Sequence, residues 1–311
     1  MSRIDAPRLE GRKVLITGAT GFLGRVISVR LANHGAEVHG VSRTDRSSEP
    51  DAVVHWWRAD LQDCADLERV WDQVQPSVVY HLAGEVNGAP SAELLIPTFH
   101  SLLTSTVNLL ALAGKSSMTR LVLAGSLEEK DADDGDAPSM SPYAAAKSAA
   151  SDYARMCHEV FGTRAVILRT FMSYGPGQPH WKIIPSTISS LLNGVPPRLS
   201  SGSRELDWVY VEDVADAFVD AAVAPGIEGM TLDVGSGHLT SIAQIVEDLV
   251  RLVDPSIRPV YGVLPDRPRR PPRIAEVAVT QRYLGWEPKT RLAEGLRRTV
   301  AWHRNRQSYT G

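Results

Sequence analysis

The chain has only two cysteines, Cys64 and Cys157, and they form no Cys-x-x-Cys pair. That excludes a disulfide framework and a dithiol redox motif, and it fits a reducing compartment. Charge of one sign is not in excess either: 33 Lys and Arg stand against 36 Asp and Glu, for a net charge of −3. Without a global positive field, neither nucleic acid nor a membrane surface is expected as a partner. The opening Met-Ser-Arg-Ile-Asp-Ala-Pro-Arg has no apolar stretch of signal-peptide length, and no 18-residue apolar span stands out further along. A cytoplasmic location is the expectation. The nine histidines are scattered, none paired with Cys, Asp or Glu at metal-ligand spacing, so no catalytic metal is expected. Repeats and low-complexity tracts are also missing.

What the chain does have is length and alternation. Its 311 residues exceed a typical single domain, so an α/β unit with an appended lobe, or two domains, is anticipated. Short apolar runs alternate with helical patterns: strand 13–17, helix 22–34 closed by Gly35, strand 37–41, helix 63–74 and strand 77–83. A further helix over 97–112, strand 121–124, helix 142–161 and strand 165–169 continue the series. This βαβ alternation predicts a doubly wound parallel sheet, a Rossmann domain over residues 1–171. Residues 172–311 change texture, with Gly175-Pro176-Gly177, Val195-Pro196-Pro197 and a Pro- and Arg-rich run from Pro259 to Arg273. Helices near 184–192, 211–223, 242–253 and 292–304 suit a smaller α/β substrate lobe.

Two motifs carry the chemistry. Thr17-Gly-Ala-Thr-Gly-Phe-Leu-Gly24 follows the apolar Val14-Leu15-Ile16. A strand, a glycine turn and a helix start in that order place backbone N–H groups and a positive helix end against a pyrophosphate. Gly18 permits the tight turn, Gly21 admits the phosphate, and Gly24 lets helix and strand pack closely. The second motif is Tyr143-Ala-Ala-Ala-Lys147, whose spacing sets phenol and ammonium on one helix face. A phenol is too weak an acid for neutral-pH catalysis, and a neighbouring ammonium is expected to favour its phenolate. Gly235-Ser236-Gly237, ahead of Thr240-Ser241, reads instead as a turn before a capped helix.

On these residues the chain resembles the extended short-chain dehydrogenases/reductases that act on nucleotide sugars. The resemblance also rests on Asp60-Leu61, His81-Leu82-Ala83, Ser126, Tyr174-Gly-Pro-Gly177, Asp207-Trp-Val-Tyr-Val-Glu-Asp213 and Leu284-Gly285-Trp286. It implies a dinucleotide site formed by Gly18, Thr20, Gly21, Phe22, Leu23, Gly24, Asp60, Leu61, Leu82, Ala83 and Gly84, together with Tyr143 and Lys147. It also implies a nucleotide-diphosphate sugar as substrate and a homodimer. Ser126 matches the family's catalytic hydroxyl, Tyr143 its proton carrier, and Lys147 the group that also holds the nicotinamide ribose.

The cofactor is read from the end of the second strand, where NAD enzymes carry a carboxylate for the ribose hydroxyls. Here the chain runs Val41-Ser42-Arg43-Thr44, so Arg43 with Ser42 suits a 2′-phosphate. NADP(H) is favoured, with NAD(H) as the alternative.

The reaction is read from Ser126-Leu127-Glu128. Related 4,6-dehydratases place a basic carboxylate two residues after the hydroxyl, as Glu128 is, and commonly an acidic or polar group between them. Leu127 supplies no acid. The following Glu129-Lys130-Asp131 replaces the family's Val-Tyr-Gly and reads as the start of a solvated acidic loop. Reduction of a nucleotide-linked keto-deoxysugar at C4 is therefore the first expectation, with Tyr143 donating the proton. Dehydration or epimerisation through Glu128 is the alternative, and an NADP(H)-binding sensor is the non-enzymatic one. For the diphosphate, Arg204 and Arg267 are the candidate substrate-binding cations.

Overall fold

The computed structural model describes residues 9–46, 53–130, 135–266 and 271–307. The chain divides into two compact units: residues 1–170, 215–232 and 281–286 form one, and 171–214, 233–280 and 287–311 the other. The chain thus leaves the first unit at the predicted end of the Rossmann domain but re-enters it twice.

In the first unit β1 (Lys13–Thr17), β2 (Glu37–Ser42), β3 (His55–Arg58), β4 (Val78–His81), β5 (Arg120–Ser126) and β6 (Ala165–Thr170) alternate with helices. These are α1 (Phe22–Asn33), α2 (Cys64–Val74), α3 (Leu95–Thr98), α4 (Ser105–Gly114) and α5 (Pro142–Phe161). The sheet order is β3-β2-β1-β4-β5-β6, with a later strand, Thr231–Val234, beyond β6. The pairings from β3 through β6 are all parallel. This is the doubly wound topology expected from the βαβ alternation, and its order reverses between β1 and β4, where such folds open a crevice at the strand ends.

The elements form for local reasons that packing then completes. Asp63 caps α2 by accepting from the Ala65 and Asp66 amides, and Ser141 caps α5 by accepting from Ala144. Leu15, Val79, Leu121 and Ile167 from the strands bury against Leu67, Val70, Trp71, Leu109 and Leu112 from the helices. Each such side chain contributes about 1.5–3 kcal/mol on leaving water.

Three features depart from the sequence reading. The edge strand β3 was not anticipated, because His55-Trp-Trp-Arg58 pairs, among the described residues, with β2 alone and is buried on neither side throughout. The helix expected over 97–112 starts earlier, with a 3₁₀ turn at Ala92–Leu94, and passes through a π-helical segment, Phe99–Thr104. Pro97 sits in the opening turn of α3, where a missing N–H costs little. This helical run, Ala92–Gly114, is long and apolar enough by length and composition to cross a membrane, contrary to the reading of no such span. Thr, Ser, His and Asn punctuate it and hide its apolar average, while Leu102, Leu109, Leu110 and Leu112 bury in the protein.

The second unit holds β7 (Met172–Tyr174), α6 (Ile183–Leu192), β8 (Glu205–Tyr210), β10 (Leu239–Ser241), α8 (Ile242–Val253) and α10 (Leu292–Gln307). α7 (Val211–Val223), β9 (Thr231–Val234) and α9 (Val277–Leu284) each cross a boundary between the two units. The small sheet runs β10-β8-β7, and Trp208, Tyr210, Ile188, Leu249 and Leu296 centre its core. Ser241 caps α8 through the Gln244 amide, as the Thr-Ser pair predicts.

Candidate active site

The glycine turn connects β1 to α1 at the crevice. Gly18 has φ +74°, and a Cβ there would lie 2.7 Å from the Ala83 amide nitrogen. At Gly24 a Cβ would overlap the Gly18 carbonyl oxygen and come 2.7 Å from Ala19 Cα. Gly21 is the N-cap of α1, and no side chain caps that helix end. Bare backbone with an open helix N-terminus is the donor set a pyrophosphate requires, so the residues present fit a dinucleotide. Thr20, Phe22 and Leu23 are half-buried around the turn, and Leu82, Ala83 and Gly84 follow β4 beside it.

At the end of β2, Ser42 Oγ accepts from the Thr44 amide at 3.2 Å and from Arg46 Nε at 3.3 Å. Arg46 stacks its guanidinium 5.4 Å from the centre of the Trp56 ring on β3. Arg43 is exposed just beyond the strand. Two arginines thus flank this end, and the second escaped the sequence reading because β3, which supplies Trp56, was not foreseen. Asp60 follows β3 and accepts from the Gln62 amide at 3.0 Å, while Leu61 packs on the core.

The catalytic candidates converge on β5 and α5. Ser126 is the last residue of β5, and Tyr143 and Lys147 sit one turn apart near the start of α5. Tyr143 is buried and hydrogen-bonds Ser126. Lys147 Nζ donates to the Ala124 carbonyl at 2.6 Å, which pins the helix to the strand. Ser126 Oγ accepts from the Glu128 amide at 3.2 Å, and the Glu128 side chain is half-buried.

Glu129 is the residue that sequence reasoning misplaced. It is not part of a solvated loop but only 3% exposed. Its Oε1 accepts from the Ser126 amide at 2.7 Å, and its Oε2 from Ser151 Oγ on α5 at 2.9 Å. The acidic run 128–136 hid it, since charge patterning alone cannot tell one inward carboxylate from its solvated neighbours. Asp131 to Asp134 lie outside the described residues.

Electrostatics at this centre differ from the simple ammonium-and-phenol expectation. Burial pushes the Tyr143 phenol up to about 12; the hydrogen bond with Ser126 opposes this, and Glu129 and Glu128 add to it. Burial likewise draws the Lys147 ammonium down, against the pull of Glu129. Burial raises the Glu129 carboxyl, and Lys147, Ser151, Ser126 and Arg169 counter it. Lys147 is engaged with Ala124 and Glu129, so it does not dominate the phenol.

His81 closes β4 inside the same unit. Burial, with Lys147 second, brings it down to about 3, so it is neutral. Ser105 Oγ spends its hydrogen on the Ser101 carbonyl at 2.7 Å, so it accepts from His81 Nε2 at 3.1 Å. The His81 Nδ1 then accepts from Thr17 Oγ1 at 2.7 Å. A neutral ring with both nitrogens used tethers β1, β4 and α4, and matches the expectation of a strand-end residue rather than a general base.

In the other unit Arg204 immediately precedes β8 and is half-buried. Arg267, Arg269 and Arg270 lie outside the described residues. Asp207 is buried and accepts from Gly237 N at 2.9 Å, Ala275 N at 3.0 Å and Ser236 Oγ at 2.7 Å. This fixes the Gly235-Ser-Gly loop as a turn pinned by a carboxylate. Asp213 similarly holds Thr290 through N at 2.9 Å and Oγ1 at 3.1 Å. Among the described residues, no group of three or more His, Cys, Asp or Glu is placed to hold a metal ion.

The sequence pattern described as the NAD dependent epimerase/dehydratase family matches residues 14–235. The chain belongs to this family. It is 30% identical to UDP-glucose 4-epimerase of Mycolicibacterium smegmatis, across 94% of this chain and 99% of that one. It is 26% identical to dTDP-glucose 4,6-dehydratase of Salmonella typhimurium, across 94% of this chain and 92% of that one. Its fold is similar to the crystal structure of UDP-glucose 4-epimerase with UDP-glucose from Thermotoga maritima, at TM-score 0.84 and 23% identity, covering 95% and 99% of the two chains. The protein is an enzyme of the nucleotide-sugar epimerase/dehydratase type. Family relatives are epimerases and dehydratases, so the order of expectations reverses: keto-sugar reduction no longer comes first.

Proposed function

We propose that this epimerase/dehydratase family member acts at C4 of a nucleotide-linked hexose, as a 4-epimerase working through an NAD(P) cofactor. The observation that carries this reading is the assembly of Ser126, Tyr143 and Lys147 at the end of β5 and the start of α5, with Leu127 where a dehydratase would need a second acid. When bound, the nicotinamide supplies a hydride acceptor and donor. Tyr143 takes the proton from the C4 hydroxyl and later returns it, Ser126 holds that oxygen, and Lys147 keeps α5 against β5. Epimerisation asks nothing more of the side chains than a proton carrier that works in both directions.

Dehydration is the second reading, favoured by Glu128, which lies within electrostatic reach of Tyr143 and could act as the base at C5. Ser42 with Arg43 and Arg46 supports NADP(H) over NAD(H), because a 2′-phosphate would meet two guanidiniums there. That same set is what supports a reductase among the remaining options. Arg204 and Arg267 belong to this reading as the diphosphate's cations.

A homodimer completes it. Tyr153, Met156, Val160 and Phe161 form an exposed apolar stripe along α5, and Leu95, Ile96 and Phe99 add to it from the helical run packed on α5. A second copy presenting the same stripe would cover it.

The deciding assay offers UDP- and dTDP-hexoses with NAD+ or NADP+, and the 4-keto-6-deoxy products with NADPH, and weighs what forms. Unchanged mass with a new C4 isomer supports the proposal. Loss of water would move the assignment to a dehydratase, and gain of two hydrogens to a reductase.

A further inference from the structure

Glu129 stands where the sequence offers no catalytic role, yet it is the most deeply buried carboxylate at the site. Its two oxygens have separate duties. One accepts from the Ser126 amide on β5 at 2.7 Å, the other from Ser151 on α5 at 2.9 Å. Ser151 lies one turn beyond Lys147 and two beyond Tyr143, so all three share a helix face. The next residue is fastened to the same helix, since the Lys130 amide donates to Ser148 Oγ at 2.9 Å. Room for the carboxylate depends on Gly125, where a Cβ would lie 3.1 Å from Glu129 Oε1.

We propose that Glu129 is a positioning residue of the catalytic site, clamping the Ser126 end of β5 to α5 and setting a buried negative charge against Lys147. The proposal deepens the reading of Ser126, Tyr143 and Lys147 as the reacting set and rests on it. The groups facing this carboxylate are Lys147 from α5, Arg169 from β6 and the Ser126 and Ser151 donors. Those facing Tyr143 are Ser126, Glu128 and Glu129. His81, the remaining titratable neighbour of Lys147, is neutral.

Its consequence is electrostatic. A cation beside the phenol promotes ionisation, but a carboxylate that acts on the same cation offsets part of its field at the phenol. Burial already holds Tyr143 near 12, and Glu129 pushes the same way. Tyr143 therefore rests as the phenol, and a further positive charge must arrive at the site before it ionises.

The test titrates Tyr143 by its phenolate absorbance in the purified full-length protein saturated with oxidised cofactor, taken as the difference from Tyr143→Phe. Glu129→Gln keeps the shape and an acceptor for the Ser126 amide while removing the charge. Its Tyr143 midpoint is expected to fall by at least about one pH unit, tenfold more phenolate at a fixed pH. Ser151→Ala, which withdraws a donor from the carboxylate, is expected to shift it the same way by less. If Glu129→Gln does not fold, Glu129→Met is read in its place with the same expectation. A midpoint unchanged in a folded, cofactor-binding variant overturns the proposal. Because no sugar is needed, this outcome is separate from failure of the epimerase assignment, which only product analysis reads.

Discussion

Lys147 Nζ reaches the Ala124 carbonyl across 2.6 Å, two residues before Ser126, so the strand that ends on the candidate hydroxyl and the helix that carries the candidate phenol are joined by a partly buried bond. Lys147→Met removes that bond and the charge facing Glu129. Turnover is expected to fall by about 10²-fold or more, the scale of a lost acid–base element. Tyr143→Phe, which deletes the proton carrier alone, should lose at least as much. Circular dichroism and cofactor titration check that both variants stay folded; Tyr143→Phe with wild-type kcat would sink the mechanism.

Cofactor choice is testable at the end of β2. Arg46 is held by Ser42 and Trp56, and Arg43 stands beyond them. Arg43→Ala and Arg46→Ala are each expected to weaken NADP+ binding about 10-fold or more, as for a lost charge-assisted hydrogen bond, and to leave NAD+ within about twofold. Isothermal titration with both nucleotides measures the ratio. Equal losses for the two would show that no 2′-phosphate is read there.

Acid stability should depend on Glu228. Its carboxylate accepts from Arg120 at 2.6 Å and Arg164 at 2.8 Å. Burial alone would raise it, but the two guanidiniums prevail and hold it at about 2, below its ordinary 4.5. A depressed acid stabilises the fold above the unfolded value and loses that contribution as pH falls from about 4.5 through about 2. Glu228→Gln is expected to cost about 3 kcal/mol at pH 7, with the gap from wild type closing across that window. Urea midpoints at a series of pH values read this directly, and a constant gap down to the lowest pH would contradict it.

The apolar stripe of α5 predicts a concentration-dependent assembly. Met156→Glu together with Val160→Glu places two charges on a face that is otherwise Tyr153 and Phe161. Light scattering should report a monomer for this variant and a dimer for the parent. A parent that is monomeric at every concentration would remove the homodimer from the reading.

Much of the first unit was legible in the chain itself. The bounds of β1, of α5 and of α8 follow from apolar runs, from Pro142 at a helix start and from Ser caps, all of which act within a few residues. Motif spacing likewise put Gly18, Gly21 and Gly24 in one turn and Tyr143 and Lys147 on one helix face, because a helix or a turn is a local geometry. The short strands β7, β8 and β10 were not legible. Each is defined by a partner distant in sequence, as when Leu239 to Ser241 pair with Glu205 to Asp207.

The sequence by itself determined the family and the local geometry of the glycine turn and of the Tyr143–Lys147 pair, since each is written in spacing over a few residues. Only the tertiary structure decided which carboxylate enters the site. Glu128 and Glu129 are adjacent and chemically alike; the first is half-buried, and the second is drawn inward by the Ser126 amide and by Ser151, twenty-two residues away. A buried charge persists only where distant donors and a counter-charge converge on it, and that convergence exists only once β5 and α5 have packed.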